Sequence, residues 1–140
     1  MKKRILLADD DNSVRRMVAR VLESAGYGVL PANSAGDRQG KNSESRVDLM
    51  LLDLPRPDEE GWEALETVRR EYRQVPVIVM TSWPNQNERA VRQGINVLLE
   101  KPLDLEQLLD SIRALLTEPQ QPAMAEASAL AGAWRPQPKC

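Results

Sequence analysis

Five polar residues follow directly after apolar runs of the chain and could do chemistry together. Asp9 and Asp10 follow the first run, and the others are Asp53, Thr81 and Lys101. Ligands of open α/β sheets bind outside the carboxyl ends of the strands, so residues that end parallel strands would share one site. Each residue alone has an ordinary structural explanation, such as a helix cap, a strand residue or a surface lysine. Their common position at strand ends favours a functional site.

The three carboxylates determine what such a site could hold. Asp9, Asp10 and Asp53 would repel one another unless a cation compensates their charge. Their oxygen atoms suit a hard ion, and Mg²⁺ fits best because it keeps several waters and accepts few protein oxygens. Such a metal could also coordinate a phosphoryl group and neutralise charge during its transfer. Thr81 and Lys101 would then supply a hydroxyl and a cation for the phosphoryl oxygens.

The composition excludes several other kinds of chemistry. The 140 residues contain no histidine and one cysteine, Cys140, which excludes Ser-His-Asp catalysis, His-ligated zinc or haem, and an internal disulfide. With 19 Lys+Arg against 21 Asp+Glu, the net charge of −2 gives no general reason to bind nucleic acid. No apolar run approaches the roughly 20 residues that cross a bilayer. No apolar signal segment follows the first four residues, so we expect a cytoplasmic protein without membrane contact.

Short apolar runs alternate with helical patterns through residues 1–116, which we expect to form one domain. The continuous apolar run at 5–8 predicts a buried strand, and further apolar runs predict strands at 27–30, 47–52, 75–80 and 97–99. Strands that alternate with helices imply parallel β-α-β units with right-handed crossovers. The predicted fold is therefore α/β, a doubly wound five-stranded parallel sheet with helices on both faces.

The segments between the strands predict helices of unequal clarity. The first helix has a strong apolar period, with Asp11 or Asn12 as its cap and Gly26 at its end. A second clear helix follows Gly61. The segment 33–46 has two glycines and almost nothing apolar, so its helix should be short, frayed or missing.

Two more helices are expected in the last third of the domain. Pro84 can only start a helix and Gly94 ends it, so the helix between them should be brief. The last helix, over 105–116, has a clear apolar period and begins at a plausible capping box of Asp104 and Gln107.

Composition changes at Thr117. The residues 117–140 hold four of the ten prolines and many alanines, which is typical of a largely disordered tail. The Ala-rich stretch 123–134 could also become a short helix against a partner. These 24 residues are too few and too poor in apolar side chains for a helix-turn-helix module, so we expect no DNA-binding output domain.

Four segments together resemble the receiver domain of a bacterial response regulator, of the stand-alone kind that includes chemotaxis regulators. They are LLADDDNSVRRMV, DLMLLDLPRPDEEGWE, VPVIVMTSW and LLEKPLDLEQLLDSI, in the family's order and near its usual spacing. The match covers residues 3 to about 116. The resemblance implies a flavodoxin-like fold with strand order 2-1-3-4-5.

The resemblance also implies a role for each residue of the candidate site. Asp53 would be the phosphoacceptor and would attack a phosphohistidine on a histidine kinase or histidine phosphotransfer protein. Thr81 would move towards the phosphoryl group and Lys101 would pair with it, with the peptide before Pro102 commonly cis. A carboxylate nucleophile is already ionised and needs no histidine base. The histidine would come from the partner, since this chain has none.

By the same resemblance, Mg²⁺ would complete the site. Asp10 would bind the metal directly and Asp9 largely through water, beside the phosphoacceptor Asp53. The backbone carbonyl of Pro55 would be the remaining protein ligand.

The departures from the family pattern concern output more than chemistry. Leu98 stands where family members usually have an aromatic side chain that swings inward on activation, so a tyrosine-type switch is not expected. By resemblance, the phosphodonor would dock on the helix of Val14 and Met17, with the loop around Pro102 and Leu103. The signal would then pass to an unidentified downstream protein through changed protein contacts.

Other functions are less consistent with the sequence. A phosphorylation-independent scaffold on the same fold is the main alternative. A nucleotide or flavin enzyme is disfavoured because there is no G-x-x-x-x-G-K or G-x-G-x-x-G motif and three carboxylates follow the first strand. A metal-dependent phosphatase with a D-x-D-x-T pattern would have Ser13 at the Thr position and would leave Asp53 without a purpose.

Overall fold

A parallel sheet of five strands forms the centre of the part of the chain that the structure describes. The computed structural model describes residues 2–31, 46–72 and 74–117. The strands are β1 (Arg4–Ala8), β2 (Gly28–Pro31), β3 (Leu49–Asp53), β4 (Val77–Thr81) and β5 (Val97–Glu100). Their order is β2-β1-β3-β4-β5, and every neighbouring pair is parallel. The predicted fold class and strand order are confirmed.

Within the described ranges, four helices cover the two faces of this sheet. They are α1 (Asn12–Ser24), α2 (Glu59–Glu71), α3 (Asn87–Gln93) and α4 (Leu105–Thr117). Val18 and Leu22 of α1 share one apolar cluster with Leu108 and Ile112 of α4. On the opposite face, Trp62 and Leu65 of α2 share a second cluster with Ala90 of α3. Because both faces are covered, the central strands are buried throughout, which explains their continuous apolar sequences.

The strand register brings the candidate site residues to one edge of the sheet. Ala8 pairs with Leu52, so Asp9 and Asp53 follow at the same level. Asp53 in turn pairs with Met80, and Thr81 pairs with Glu100, the residue before Lys101. The last residues of neighbouring strands among β1, β3, β4 and β5 therefore lie within one residue of each other along the strand direction.

Most of the predicted helix ends are confirmed. The Asp11 carboxylate accepts hydrogen bonds from the amides of Ser13 and Val14, so Asp11 rather than Asn12 caps α1. Gly26 follows α1 with a φ of +96°, and Gly94 ends α3 with a φ of +75°, conformations that glycine adopts without a steric cost.

For the predicted capping box of α4, the role of Asp104 is confirmed. The Asp104 carboxylate accepts from the amides of Glu106 and Gln107, and this satisfies two free donors of the first turn.

Two helix boundaries differ from the prediction. The second helix begins at Glu59, before Gly61, because Asp58 caps it by accepting from the Gly61 amide. The prediction that this helix follows Gly61 is therefore wrong at its start. The third helix begins at Asn87, three residues beyond Pro84, and it is as brief as expected.

Two predictions, the weak helix and the tail, concern residues that lie mostly outside the described ranges. The weak helix at 33–46 lies almost entirely outside the described residues, and so do 118–140 of the predicted tail. Thr117, the first residue assigned to that tail, is the last residue of α4. None of the described helices has the length and apolar character needed to cross a membrane.

Candidate functional site

Lys101 joins two carboxylates at the carboxyl edge of the sheet. Its Nζ lies 2.8 Å from Oδ1 of Asp53 and 3.1 Å from Oδ2 of Asp9. All three side chains are largely withdrawn from solvent, with exposed fractions of 16% for Lys101, 13% for Asp53 and 1% for Asp9. Residues 92 positions apart in the sequence thus form one polar centre.

The Asp9 side chain is held from both of its oxygen atoms. Oδ1 accepts a hydrogen bond of 2.9 Å from the Asp11 amide, while Oδ2 accepts from Lys101. Asp11 is in turn fixed as the cap of α1. The start of α1 therefore positions this carboxylate against the end of β3.

The environment of Asp53 disfavours its charge. Burial raises the pKa of the Asp53 carboxyl above its ordinary value, and the negative charges of Asp9 and Asp10 raise it further. The hydrogen bond and positive charge of Lys101 act in the opposite direction without cancelling these effects. Burial and the neighbouring carboxylates together thus outweigh the effect of Lys101 on this pKa.

Lys101 is kept charged by the same partners. Burial alone would lower the pKa of Lys101, but the hydrogen bonds and charges of Asp53 and Asp9 outweigh it, so the pKa is raised. The Lys101 amide donates to the Thr81 carbonyl at 2.7 Å, which ties the start of this loop to the end of β4. The Lys101–Pro102 peptide is cis, as the family resemblance implies.

Thr81 is fully buried at the end of β4, beside this centre. Its Oγ1 accepts a hydrogen bond of 2.9 Å from the Trp83 amide. The hydroxyl proton has only a long contact of 3.5 Å to the Trp83 carbonyl, at the limit of a hydrogen bond. The hydroxyl can therefore still donate to a group that enters the site.

Asp10 and Pro55 are the predicted site residues that the structure leaves outside this hydrogen-bonded centre. Both are exposed, and among the described residues neither donates to nor accepts from Asp9, Asp53 or Lys101. Asp10 still acts on the site through its charge, which raises the pKa of Asp53. Its carboxylate stands at the rim of the site.

The residues present fit a magnesium ion of the kind the sequence predicts. Within the described ranges, no three acidic, histidine or cysteine side chains are gathered into a metal-binding group. Mg²⁺ does not need such a cage, because it keeps several waters and commonly uses one or two carboxylates with a substrate phosphate. The uncompensated charge around Asp53 is the feature that a divalent cation would neutralise.

A second polar network joins α2 to α3 and was not predicted. Arg89 of α3 makes two hydrogen bonds of 2.9 and 3.0 Å to the Glu59 carboxylate of α2. The same guanidinium lies over the Trp62 ring, 5.6 Å from its centroid. The Trp62 indole donates to Gln86 at 3.1 Å, and Arg69 donates to the Gln93 carbonyl at 2.6 Å. The short α3 is thus attached to α2 at both ends.

Leu98 and Met17 lie outside the site and differ in their exposure to solvent. Leu98, at the position of the family's aromatic switch, is buried in the cluster beneath α2 and α3. Met17, on the helix predicted to dock the phosphodonor, is 42% exposed.

Comparison with known proteins agrees with the geometry of the site. A family model described as the response regulator receiver domain matches residues 5–113. The response regulator MprA of Mycobacterium leprae is 34% identical over 129 residues, which are 91% of this chain and 57% of that protein. The CAI-1 autoinducer sensor kinase/phosphatase CqsS of Vibrio cholerae is 33% identical over 118 residues, which are 81% of this chain and 17% of that protein. The chain therefore spans only part of each longer relative.

A solved structure extends this similarity to three dimensions. The response regulator receiver domain protein (CheY-like) from Methanospirillum hungatei JF-1 matches with a TM-score of 0.69 and 30% identity, over 83% of this chain and 94% of that one. The chain belongs to the response regulator receiver domain family, whose members are signalling modules that accept a phosphoryl group in two-component systems and are not metabolic enzymes.

Proposed function

We propose that this chain accepts a phosphoryl group on Asp53 in a Mg²⁺-dependent transfer from a histidine kinase or histidine phosphotransfer protein. The observation that carries the proposal is the placement of the Lys101 ammonium between Asp53 and Asp9, at 2.8 and 3.1 Å. A carboxylate nucleophile, a cation and a second carboxylate stand together at the edge of the sheet. Such a group can supply a nucleophile and electrostatic stabilisation for phosphoryl transfer to an aspartate.

In the proposed step, a carboxylate oxygen of Asp53 attacks the phosphorus of the partner's phosphohistidine. The new P–O bond makes an acyl phosphate, while the P–N bond breaks and its electron pair stays with the imidazole of the partner. No base has to remove a proton from Asp53, because its carboxylate is the attacking form. Lack of histidine in this chain is consistent with a partner that supplies it.

Lys101 and Thr81 would hold the transferred group. Lys101 stays charged in the site, so its ammonium can leave Asp53 Oδ1 and pair with a phosphoryl oxygen. The Thr81 hydroxyl donates only in the long 3.5 Å contact to the Trp83 carbonyl, so it can turn and donate to a second phosphoryl oxygen. These two contacts would change on phosphorylation and would transmit the modification to β4 and β5.

The carboxylates of Asp9, Asp10 and Asp53 and the carbonyl of Pro55 would hold Mg²⁺. When bound, the metal would neutralise charge on the phosphoryl oxygens during transfer. We further propose that the modified chain acts by changing contacts with a downstream protein and not by direct contact with nucleic acid, for which a net charge of −2 provides no general attraction.

Labelling by acetyl phosphate tests the proposal directly. The full chain should be modified on Asp53 in the presence of Mg²⁺, as read by intact mass, and EDTA should abolish the modification. Asp53→Asn should abolish it as well. Asp110→Asn removes an exposed carboxylate from α4 instead and should leave the labelling unchanged.

A histidine kinase as the donor should give the same dependence on Asp53. If neither donor modifies the wild-type chain, phosphoryl acceptance is rejected. The scaffold function would then account better for the fold.

A further inference from the structure

Arg15 of α1 folds back onto the acidic turn that precedes its own helix. Its Nη1 donates a hydrogen bond of 2.8 Å to the backbone carbonyl of Asp9. Its Nη2 donates to the side-chain carbonyl of Asn12. The planar guanidinium therefore connects the first and last residues of the turn 9–12 with two directed bonds.

Together with other hydrogen bonds, these two bonds hold Asp9 and Asp11, the residues on either side of Asp10. On one side, Asp9 is held at its backbone carbonyl by Arg15 and at its carboxylate by Asp11 and Lys101. On the other side, Asp11 is held as the cap of α1. Asp10 itself has no hydrogen-bond partner among the described residues, so the bonds of its two neighbours fix the backbone from which its carboxylate extends.

We propose that Arg15 is a positioning residue that holds Asp9 and Asp10 in the geometry needed to bind the divalent cation. The inference rests on the Mg²⁺ site of the proposed function. It adds Arg15, which lies outside that site, as a residue that holds two of the metal ligands in place. Partners that orient metal ligands typically contribute a factor of 10 to 100 in metal affinity.

The charge of Arg15 and its two hydrogen bonds should have opposite effects on Mg²⁺ affinity. A positive charge close to a cation site repels the cation, so loss of the charge alone would strengthen Mg²⁺ binding. Loss of the two directed bonds would loosen the turn and weaken binding. A lysine at position 15 keeps the charge but lacks the fork that reaches both oxygens. The two effects can therefore be separated with two substitutions.

The experiment measures Mg²⁺ binding to the full chain by titration calorimetry, for wild type, Arg15→Lys and Arg15→Gln. Both variants should bind Mg²⁺ about tenfold more weakly or worse. Arg16→Lys and Arg16→Gln are the matched controls, because Arg16 is the next residue of α1, is exposed, and makes no hydrogen bond with another side chain of the described residues. Both controls should stay within about twofold of wild type, as expected for a screened surface charge.

A second readout separates positioning from a general loss of structure. Thermal unfolding without Mg²⁺ identifies variants that fail to fold. For a folded variant, the Mg²⁺ concentration that half-saturates acetyl phosphate labelling should rise about tenfold, and the labelling rate should recover at saturating Mg²⁺.

Tighter binding by Arg15→Gln with unchanged binding by Arg15→Lys would show that only charge matters and would overturn the proposal. Unchanged binding in both variants would overturn it too. In either case Mg²⁺ binding and Asp53 labelling of the wild type would still support the proposed function. Failure of the wild type to bind Mg²⁺ would reject both.

Discussion

The surroundings of Asp53 disfavour the negative charge of its carboxylate. Its pKa is raised by burial and by the charges of Asp9 and Asp10, and the single lysine does not cancel these effects. A nucleophile with uncompensated charge is costly to the empty fold but well suited to a site that acquires a cation and a phosphoryl group. The cost should be measurable in the stability of the protein without metal.

Asp53→Asn should therefore stabilise the metal-free protein at neutral pH. Between the ordinary aspartate pKa of 3.8 and the raised pKa of Asp53, the folded wild type binds more protons than the unfolded chain. Its free energy of unfolding thus falls as pH rises through this window and stays lower above it. The variant lacks this loss, so its advantage should grow with pH and then level off.

Urea unfolding in EDTA over a series of pH values checks this prediction. Asp110→Asn, which removes an exposed carboxylate of α4, controls for a general effect of charge. A difference between Asp53→Asn and wild type that is independent of pH would contradict it.

The chemistry-bearing residues could be predicted from the sequence, but their contacts could not. Asp9, Asp53 and Lys101 end apolar runs, and this is a local signal that survives into the structure as one hydrogen-bonded centre. The bond from Arg15 to the Asp9 carbonyl depends on a side-chain conformation. Its spacing of six residues from Asp9 and three from Asn12 is compatible with such bonds, but many surface arginines have the same spacing without making them.

The elements that follow the phosphoacceptor are fitted closely to each other. Gly61, in the first turn of α2, packs against the backbone of Arg56 in the loop after β3. A Cβ atom at Gly61 would lie 1.9 Å from the Arg56 carbonyl oxygen. Only a residue without a side chain allows the loop to lie so close to the helix.

Gly61→Ala should consequently destabilise the fold by about 1–3 kcal/mol, the usual range for overpacking. The sign is informative, because alanine in a helix interior ordinarily gains about 1 kcal/mol over glycine. Gly28→Ala is the matched control, since its Cβ would meet only ordinary contacts, the nearest being the Arg4 side chain at 3.5 Å. Chemical unfolding that finds Gly61→Ala as stable as wild type would show that the loop yields freely.

Helix existence was easier to predict than helix ends. The apolar periods of α1, α2 and α4 identify these helices because each buries one stripe against the sheet. The start of α2 was missed because a glycine in a helix is justified only by the tertiary contact with Arg56. The attachment of α3 to α2 was missed because Glu59 and Arg89 are 30 residues apart in the sequence.

The whole molecule is a sheet between two apolar layers, with the site at one edge of the sheet. Its fold class followed from the alternation of strands and helices, since parallel strands require crossovers. The register that aligns Asp53 with Met80 and Thr81 with Glu100 is a property of the assembled sheet. The sequence of each single strand does not determine this register, so the distances within the site depend on the assembled sheet.

Because the site is built from four strand ends, occupying it should stabilise the entire fold. Beryllium fluoride with Mg²⁺ mimics an acyl phosphate and binds only the folded state. At 100 times its dissociation constant, such a ligand adds about 2.7 kcal/mol to the free energy of unfolding. Thermal unfolding should show a higher melting temperature for the wild type and for Asp110→Ala, and no change for Asp53→Ala. An unchanged melting temperature in the wild type would contradict an intact metal and phosphate site.

The attachment of α3 to α2 has a consequence for how neighbouring molecules sense this protein. Glu59 and Arg89 hold the beginnings of the two helices together, and Arg69 holds the end of α3 through the Gln93 carbonyl. A shift of the loop that leads from the phosphoacceptor into α2 would thus carry α3 with it. A protein that touches α3 alone would respond to an event at Asp53 without contacting either that residue or its loop.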